Sequence, residues 1–299
     1  MSARIEILQK PVEQQAGDCA DGMCALPPAA VKDAEAIREE VESYYGDVAD
    51  LQLTGSDQSD CCGSDLYEGE DLGQLPAAAV NSSRGCGNPH AIASLLPGEI
   101  VLDLGSGGGL DVLLAARQVG DKGYVYGVDM TDRMLELASG NAAKIGASNV
   151  EFRKGNLEDL PLQASAVDVI ISNCVVNLTP DKGIVLREAF RVLKPGGRLA
   201  ISDIVVDGEL DGLPVSEEQI RAGLSWAGCI AGALTVAELT SLLQEAGFEE
   251  IDIRVEQRYT AADFNGDLPS ALTDLQPQVL QDLLQRFTSS SIEARKPQQ

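Results

Sequence analysis

The stretch VLDLGSGGG, residues 101–109, decides the fold of this chain of 299 residues. Residues 99–104 are a short apolar run, which predicts a buried β-strand, and a helical pattern begins directly after the glycines. Glycine lets the backbone turn tightly between a strand and a helix, and lets it approach a ligand without a Cβ in the way. Such turns also serve purely structural purposes, so the motif alone does not establish a binding site.

Strands and helices alternate regularly around this turn. Apolar runs predict the strands, and runs with helical periodicity predict the helices. The predicted strands are residues 99–104, 124–129, 150–153, 167–172, 198–205 and 251–255, and the predicted helices are residues 110–119, 132–145, 182–193 and 235–246. This alternation predicts an α/β fold, with a Rossmann-like, seven-stranded and mostly parallel sheet and helices on both faces.

The flanking segments differ from this core, which we place at residues 90–207. Residues 1–30 lack periodicity and are expected to be a disordered tail. Residues 31–89 hold a helix over 31–45, ended by Gly46, and a long loop with cysteines. The remaining predicted units are a substrate-binding insert with the end of the core over 208–256, and a C-terminal extension of a loop, one helix and a polar tail over 257–299.

The formal net charge of −25 disfavours nucleic acid and anionic membranes as partners. The N-terminus has no apolar signal region and the sequence has no run of about 18 apolar residues, so we expect a cytoplasmic protein. Seven cysteines in that reducing compartment are more often buried, metal-binding or catalytic than joined in structural disulfides. One histidine excludes a histidine-based acid–base dyad.

Acidic side chains at the strand ends indicate the cofactor. Asp129 ends the second strand, where its carboxylate could accept both ribose hydroxyls, and the segment 155–160 after the third strand could hold an adenine. Asp103 suits the cationic S-adenosylmethionine better than the pyrophosphate of NAD, and no metal cofactor is expected. The predicted cofactor-binding residues are Asp103, Gly105, Ser106, Gly107, Asp129, Met130, Asn156, Leu157, Glu158 and Asn173.

The blocks VLDLGSGGG, GVDMT, VDVIISNCVVNL and EAFRVLKPGGRLAISDI resemble the class I methyltransferases. More narrowly, the runs SNCVVNL, AGCIAGAL and GCGNP and the pair Cys61-Cys62 resemble the arsenite methyltransferases, over roughly residues 31–256. The resemblance implies methyl transfer from S-adenosylmethionine to cysteine-bound trivalent arsenic. It also implies that the substrate is arsenite or its thiol conjugates, and we expect the protein to act as a monomer.

Three cysteines occupy segments expected near the cofactor. Cys174 follows the fourth strand, where ligands of open α/β sheets bind, and Cys229 lies in the insert, a usual place for a substrate lid. Cys86 lies between two glycines, which suggest an adaptable loop rather than core packing. Free cysteines are also among the most buried residues, so position alone leaves a structural role open. The resemblance implies that the three thiolates converge and bind arsenic.

The implied chemistry agrees with the residue content. Thiolates are soft ligands, and trivalent arsenic bound by three of them keeps a lone pair that can attack the sulfonium methyl without a general base. Methylation raises arsenic to the pentavalent state, and cysteine thiols can return it to the trivalent state by forming a disulfide. The resemblance implies that Cys61 or Cys62 pairs with Cys86, and that an external thiol such as glutathione or thioredoxin resets the enzyme.

Two other functions stay open. A methyltransferase for a small organic metabolite would explain the widespread LDLGSG and KPGG blocks, but it calls for a general base, and no good candidate is evident. A thiol-rich metalloid buffer would explain the cysteines, but it gives no reason for Asp129 or the glycine turn.

Several remaining residues have weaker predictions. Cys19 and Cys24 are either an incidental pair on a tail or an auxiliary metalloid-loading site. His90 is expected at a loop or helix start with no catalytic role, and Trp226 either lines the pocket or packs. Arsenite methyltransferases often have Asp-Cys after the glycine turn, where this chain has Asp111-Val112, so that thiol, which is not one of the implied arsenic ligands, is absent.

Overall fold

A computed structural model describes residues 33–55, 66–67, 72–210, 229–264, 272 and 275–298. Within these residues the strands are β1 (Ile100–Leu104), β2 (Tyr124–Asp129), β3 (Val150–Lys154), β4 (Val167–Asn173), β5 (Leu193–Val206), β6 (Leu234–Thr235), β7 (Glu249–Arg258) and β8 (Phe287–Arg295). The α-helices are α1 (Ala34–Thr54), α2 (Ala77–Ser82), α3 (Pro89–Ala93), α4 (Leu110–Val119), α5 (Asp132–Ile145), α6 (Lys182–Val192), α7 (Val236–Ala246) and α8 (Pro277–Leu284).

All of these strands belong to one sheet. Seven lie side by side in the order β3-β2-β1-β4-β5-β8-β7, and β6 pairs with β5. The pairs among β1 to β6 are parallel, whereas β8 runs antiparallel to both β5 and β7. The predicted α/β, Rossmann-like and mostly parallel sheet is therefore confirmed. The strand order reverses between β1 and β4, so ligands are expected beyond the carboxyl ends of these two strands.

The two central strands are buried on both faces because alternate residues point to opposite sides of the sheet. Val101 of β1 and Val169 of β4 pack in one apolar cluster with residues of α4. Leu102 and Ile170, their neighbours, pack in another cluster with residues of α6. Helices on both faces thus hold β1 and β4 rigidly, and this rigidity fixes the segments that follow the two strands.

Helix α1 is longer than the sequence pattern predicts. It continues through Gly46 to Thr54 and ends at Gly55, which has a φ of 68°. The extension packs against α5, where Val48 and Ala49 join a buried cluster with residues of that helix. Tertiary packing therefore outweighs the helix-ending tendency of Gly46. Neither α1, the longest described helix, nor any other described helix is both long and apolar enough to cross a membrane.

The prediction of a polar C-terminal tail is wrong. Residues 287–295 form β8, which lies inside the sheet between β5 and β7, and four consecutive hydroxyl residues of this strand, 288–291, are buried. Their hydroxyls find partners inside the protein, as when Thr288 Oγ1 donates to the carbonyl of Val205 at 2.9 Å. Because a hydrogen-bonded hydroxyl tolerates burial, a strand of polar composition can occupy a buried place.

Candidate active site

The glycine turn after β1 lines a cleft at the carboxyl ends of the parallel strands. Gly105 has a φ of 68°, and a Cβ there would lie 2.5 Å from a methyl of Val175, so this position requires glycine. Asp129, at the end of β2, fastens the turn, because its carboxylate accepts hydrogen bonds from the N–H of Gly107 and of Thr131, each at 2.9 Å. Each carboxylate oxygen keeps a second lone pair for a ligand.

The cleft encloses about 620 Å³ of empty space, including open solvent at its mouth. Seven of the predicted cofactor residues line it, namely Gly105, Gly107, Asp129, Met130, Asn156, Leu157 and Glu158. Ser106 and Asn173 line an adjoining pocket, and Asp103 is buried at the end of β1. The structure therefore gathers the ten residues around one region.

Helix α1 supplies a wall of the cleft that the sequence analysis did not assign. Arg38, Val41 and Tyr45 line it, and the Arg38 guanidinium donates to the Glu158 carboxylate at 3.0 Å. Val41 and Tyr45 are four residues apart and so lie on one face of a helix. That spacing is a signal by which they could have been found.

Buried carboxyl groups favour the binding of a positively charged ligand in this region. Burial raises the pKa of Asp103 well above its usual value, and the neighbouring charges of Asp111 and Asp129 raise it further. Burial also raises the pKa of Asp129, although backbone hydrogen bonds oppose this. Ser106 Oγ is buried with no hydrogen-bond partner among the described residues. A cationic ligand with polar groups, as S-adenosylmethionine is, fits both the carboxyls and this hydroxyl.

Three of the predicted thiols converge beside this region. Cys86 and Cys174 form a disulfide whose Cα atoms are 5.8 Å apart, and the thiol of Cys229 donates to the carbonyl of Cys174 at 2.8 Å. All three side chains are buried in one apolar cluster. We call these three residues the thiol cluster. They come from three separate segments of the chain, as the sequence analysis expected.

Two members of the thiol cluster have an uncommon backbone conformation. The φ angle is 58° at Cys174 and 63° at Cys229, in the left-handed region that residues with a Cβ rarely adopt. Such strain persists only where surrounding contacts impose it, and it concentrates at functional sites. At Cys174 one such contact is the hydrogen bond from its N–H to the carbonyl of Ser202, at 2.7 Å.

The loop that carries Cys86 is pinned, and the expectation of an adaptable loop is wrong. A Cβ on Gly85 would overlap the amide of Asn173, and a Cβ on Gly87 would lie 2.8 Å from the side chain of Ser202. The two glycines are therefore required by close packing rather than by flexibility. The loop packs against Asn173 at the end of β4 and Ser202 within β5, and Cys86 is buried there.

Asn173 directs its side-chain amide at this loop. Its Oδ1 accepts from the N–H of Cys86 at 3.0 Å and from that of Gly87 at 3.3 Å, and its Nδ2 donates to the carbonyl of Gly87 at 2.8 Å. The residue was predicted to bind the cofactor. It borders the adjoining pocket, but its amide is engaged by protein atoms, so the structure places its polar atoms with the thiol cluster.

A buried hydrogen-bonded network extends from Asn173. Its Nδ2 also donates to the hydroxyl of Tyr67 at 3.0 Å, and that hydroxyl donates to the carboxylate of Asp111 at 2.9 Å. The same carboxylate bonds to His90 Nε2 at 3.0 Å. Burial raises the pKa of Tyr67, and so does the nearby charge of Asp111. His90 lies at the start of α3, as predicted, and its described partner is this carboxylate.

Asp203 is a member of the site that the sequence analysis missed. One of its carboxylate oxygens lies within 4.8 Å of the sulfurs of Cys86 and Cys174. Burial raises the pKa of Asp203 to about 7, against hydrogen bonds from backbone N–H groups that lower it. The pKa of the Cys229 thiol is raised well above its usual value by burial, and then by the charge of Asp203. An acidic residue within the apolar run of β5 was the available signal.

The other cysteines lie outside the described residues. These are Cys19, Cys24, Cys61 and Cys62, and Trp226 lies outside as well. The pairing of Cys61 or Cys62 with Cys86 therefore stays a prediction. In the part of the chain that is described, Cys86 is instead joined to Cys174.

Residues 95–247 match the family model described as a methyltransferase domain. The chain is 40% identical to an arsenite methyltransferase of Halobacterium salinarum over 287 residues, which cover 90% of this chain and 68% of that protein. It is 39% identical to an arsenite methyltransferase of Homo sapiens over 234 residues, covering 74% of this chain and 60% of that protein. The chain thus spans about three fifths to two thirds of the length of these relatives.

The fold is similar to a solved structure as well. The crystal structure of an arsenic(III) S-adenosylmethionine methyltransferase from Chlamydomonas reinhardtii superimposes with a TM-score of 0.59 at 34% sequence identity. The match covers 76% of this chain and 72% of that one. Sequence and fold therefore agree on the same set of relatives.

Proposed function

Since the chain belongs to the arsenite methyltransferase family, we propose that it transfers methyl groups from S-adenosylmethionine to trivalent arsenic held by cysteine, giving methylated arsenicals. The observation that carries the proposal is the thiol cluster: Cys86, Cys174 and Cys229 come from distant segments and meet beside the cleft. Soft sulfurs gathered in one buried cluster suit a soft, three-coordinate acceptor. A methyltransferase for an organic acceptor gives no reason for this convergence.

The cleft provides what the cofactor needs. Asp129 offers free lone pairs to ribose hydroxyls, the segment from Asn156 to Glu158 borders the place of the adenine, and the buried Asp103 balances positive charge. When bound, S-adenosylmethionine supplies a methyl group on a positively charged sulfur, which a lone pair can accept without loss of a proton. The cleft residues therefore hold and orient the methyl donor.

The thiol cluster first has to be reduced. We propose that an external thiol, such as glutathione or thioredoxin, gives two electrons and two protons to the Cys86–Cys174 disulfide and is itself oxidised to a disulfide. The two freed thiols and Cys229 then displace three hydroxide groups of arsenite. Each thiol proton leaves with one hydroxide as water, so arsenic stays trivalent and keeps its lone pair.

No general base is needed for the transfer, because the lone pair carries no proton. The task of the protein is to place arsenic in line with the methyl group and to keep water away. The burial of the three cysteines supports the exclusion of water. The product arsenic is pentavalent. It returns to the trivalent state when two thiolates give up two electrons and join as a disulfide, for which we retain Cys61 or Cys62 with Cys86 as the proposed pair.

We further propose that the protein acts as a monomer in the cytoplasm. The formal net charge of −25 argues against nucleic acid and anionic membranes as partners. Its partners would then be arsenite or its thiol conjugates and the thiol reductant.

The test is to incubate the full chain with arsenite, S-adenosylmethionine and glutathione, and to separate the arsenic products by mass. Methylated arsenicals are expected from the wild type. Cys174→Ser and Cys229→Ser should lose turnover and keep cofactor binding, whereas Cys19→Ser, the same change elsewhere in the chain, should stay active. Cofactor binding without any methylated arsenical would overturn the proposal in favour of an organic acceptor.

A further inference from the structure

We propose that Asn173 and Ser289 are positioning residues, which hold the backbone of Cys86 so that its sulfur can bind arsenic together with the other thiols. The inference rests on the proposed function and deepens it. It assigns a role in arsenic binding to two side chains that have no sulfur and that do not touch the substrate themselves. One lies at the end of β4, and the other lies on β8.

The side-chain amide of Asn173 forms hydrogen bonds with the backbone of the loop at Cys86 and Gly87. Its Oδ1 accepts from the N–H of Cys86, and the same amide both accepts from and donates to the backbone of Gly87. Asn173 also directly precedes Cys174 in the chain. A single amide therefore links the backbones of the two cysteines and sets the distance between them, which is 5.8 Å between Cα atoms.

Ser289 forms a hydrogen bond with the carbonyl group of Cys86 in the same loop. Its Oγ donates to the carbonyl of Cys86 at 2.6 Å, and the residue is buried. Ser289 is paired with Ile204 of β5 and with Gln257 of β7, so its own position is fixed by both neighbouring strands. The carbonyl of Cys86 is thereby attached to the interior of the sheet.

Together the two side chains occupy both hydrogen-bonding groups of the Cys86 backbone. The flanking glycines are closely packed, because a Cβ on Gly85 would overlap the Asn173 amide and a Cβ on Gly87 would lie 2.8 Å from the Ser202 side chain. The sulfur of Cys86 then has only the rotation of its own side chain left. Any buried loop needs partners for its polar groups. Here the partners are side chains fixed by β4, which Cys174 directly follows, and by β8 of the same sheet. Partners fixed by one sheet are what positioning of one ligand relative to another requires.

The test compares Ser289→Ala and Asn173→Asp with the wild type under reducing conditions. Ser289→Ala removes one hydroxyl, and Asn173→Asp replaces a donor by an oxygen that repels the carbonyl of Gly87. We expect the KM for arsenite to rise about tenfold in both variants, as the loss of a buried hydrogen bond suggests. The dissociation constant for S-adenosylmethionine should be unchanged in Ser289→Ala. X-ray absorption of arsenite-loaded protein should give fewer than three As–S bonds per arsenic.

Ser291→Ala is the matched control. Ser291 is buried on the same strand, but its hydroxyl bonds to Glu256 rather than to the Cys86 loop, so its KM for arsenite should match the wild type. An unchanged KM and three As–S bonds in Ser289→Ala would overturn the inference, and this variant decides the matter alone if Asn173→Asp does not fold. A wild type that binds no arsenite would instead contradict the proposed function.

Discussion

Gly85 shows how the absence of one side chain shapes the thiol cluster. A Cβ at this position would overlap the Asn173 amide, so Gly85→Ala should push that amide away from the Cys86 loop. We expect a rise of about tenfold or more in the KM for arsenite, because several hydrogen bonds to the loop are disturbed at once. Steady-state kinetics with arsenite as the varied substrate measures it.

Gly140→Ala is the control for this substitution. Gly140 lies within α5, where a Cβ would meet nothing within 4 Å. It should leave the kinetics unchanged. Equal KM values for the two variants would show that space beside Asn173 does not matter to arsenite binding.

The buried carboxyl group of Asp103 should make the affinity for the cofactor depend on pH. In the free protein its pKa is raised by burial and by Asp111 and Asp129, so protons bind to it more readily than to an ordinary carboxyl. A bound cation favours the charged carboxylate and lowers that pKa. The affinity for S-adenosylmethionine should therefore fall as the pH drops through the raised pKa, and binding in that range should release protons.

Calorimetry in two buffers of different ionisation enthalpy measures this release. Asp103→Asn should bind the cofactor less tightly at high pH and lose most of the pH dependence. An affinity that stays constant from neutral to acidic pH in the wild type would contradict the prediction.

Residue types and their places were enough to select the cleft, whereas the convergence of the three thiols was predicted from the resemblance to the arsenite methyltransferases. Asp129 was predicted because it ends a recognisable strand, and Cys174 because it follows one, and such strand ends meet at one edge of a parallel sheet. Tyr67, Asp203 and Ser289 were missed. Tyr67 and Ser289 reach the site only through long-range contacts, and no local pattern in the sequence encodes those.

At the scale of elements, α1 illustrates how packing extends a helix past a glycine. Gly46 lies inside α1, where a Cβ would meet nothing within 4 Å, so Gly46→Ala should stabilise the protein by about 1 kcal/mol. The expected rise in Tm is a few degrees, about 2–4 °C for each kcal/mol in a chain of this size. Thermal denaturation followed by circular dichroism measures it.

Gly55→Ala should have the opposite effect and destabilise the protein. Gly55 ends the same helix with a φ of 68°, which a residue with a Cβ adopts at a cost, so its Tm should fall. The two substitutions are chemically identical and differ only in backbone conformation. A fall in Tm for Gly46→Ala would mean that this residue does not have a regular helical conformation.

Some helices and strands could be predicted from local sequence periodicity, and others could not. Strands β1 to β5 and the helices between them were predicted because buried parallel strands and amphipathic helices have clear sequence patterns. β8 was missed because the residues 288–291 are Thr and Ser, whose polarity is typical of a surface tail. Only the partner strands show that these hydroxyls are satisfied inside the protein.

At the scale of the whole molecule, arsenic bound to the thiol cluster would join three distant segments. Cys86 and Cys174 are 88 residues apart in sequence, and Cys229 follows after another 55. A ligand that binds the folded state alone stabilises it, so arsenite should raise the Tm of the reduced protein, by an amount that grows with its concentration. Differential scanning calorimetry with and without arsenite measures this shift.

The matched comparison is Cys229→Ser, in which the shift should be largely lost, beside Cys19→Ser, in which it should persist. A shift of equal size in both variants would place the bound arsenic elsewhere in the chain. S-adenosylmethionine is left out of the experiment, so the result does not depend on turnover.

The place of β8 inside the sheet, between β5 and β7, has a consequence for how the protein is made. The chain leaves the ribosome from its N-terminus, so Cys86 emerges 203 residues before Ser289, the residue that holds its carbonyl. Contacts of such high sequence separation form late in folding. A nascent chain therefore carries Cys86 through the synthesis of these 203 residues before the strand that holds its carbonyl can join the sheet. Competence to bind arsenic should thus be acquired only after Ser289 has been synthesised and β8 has joined the sheet.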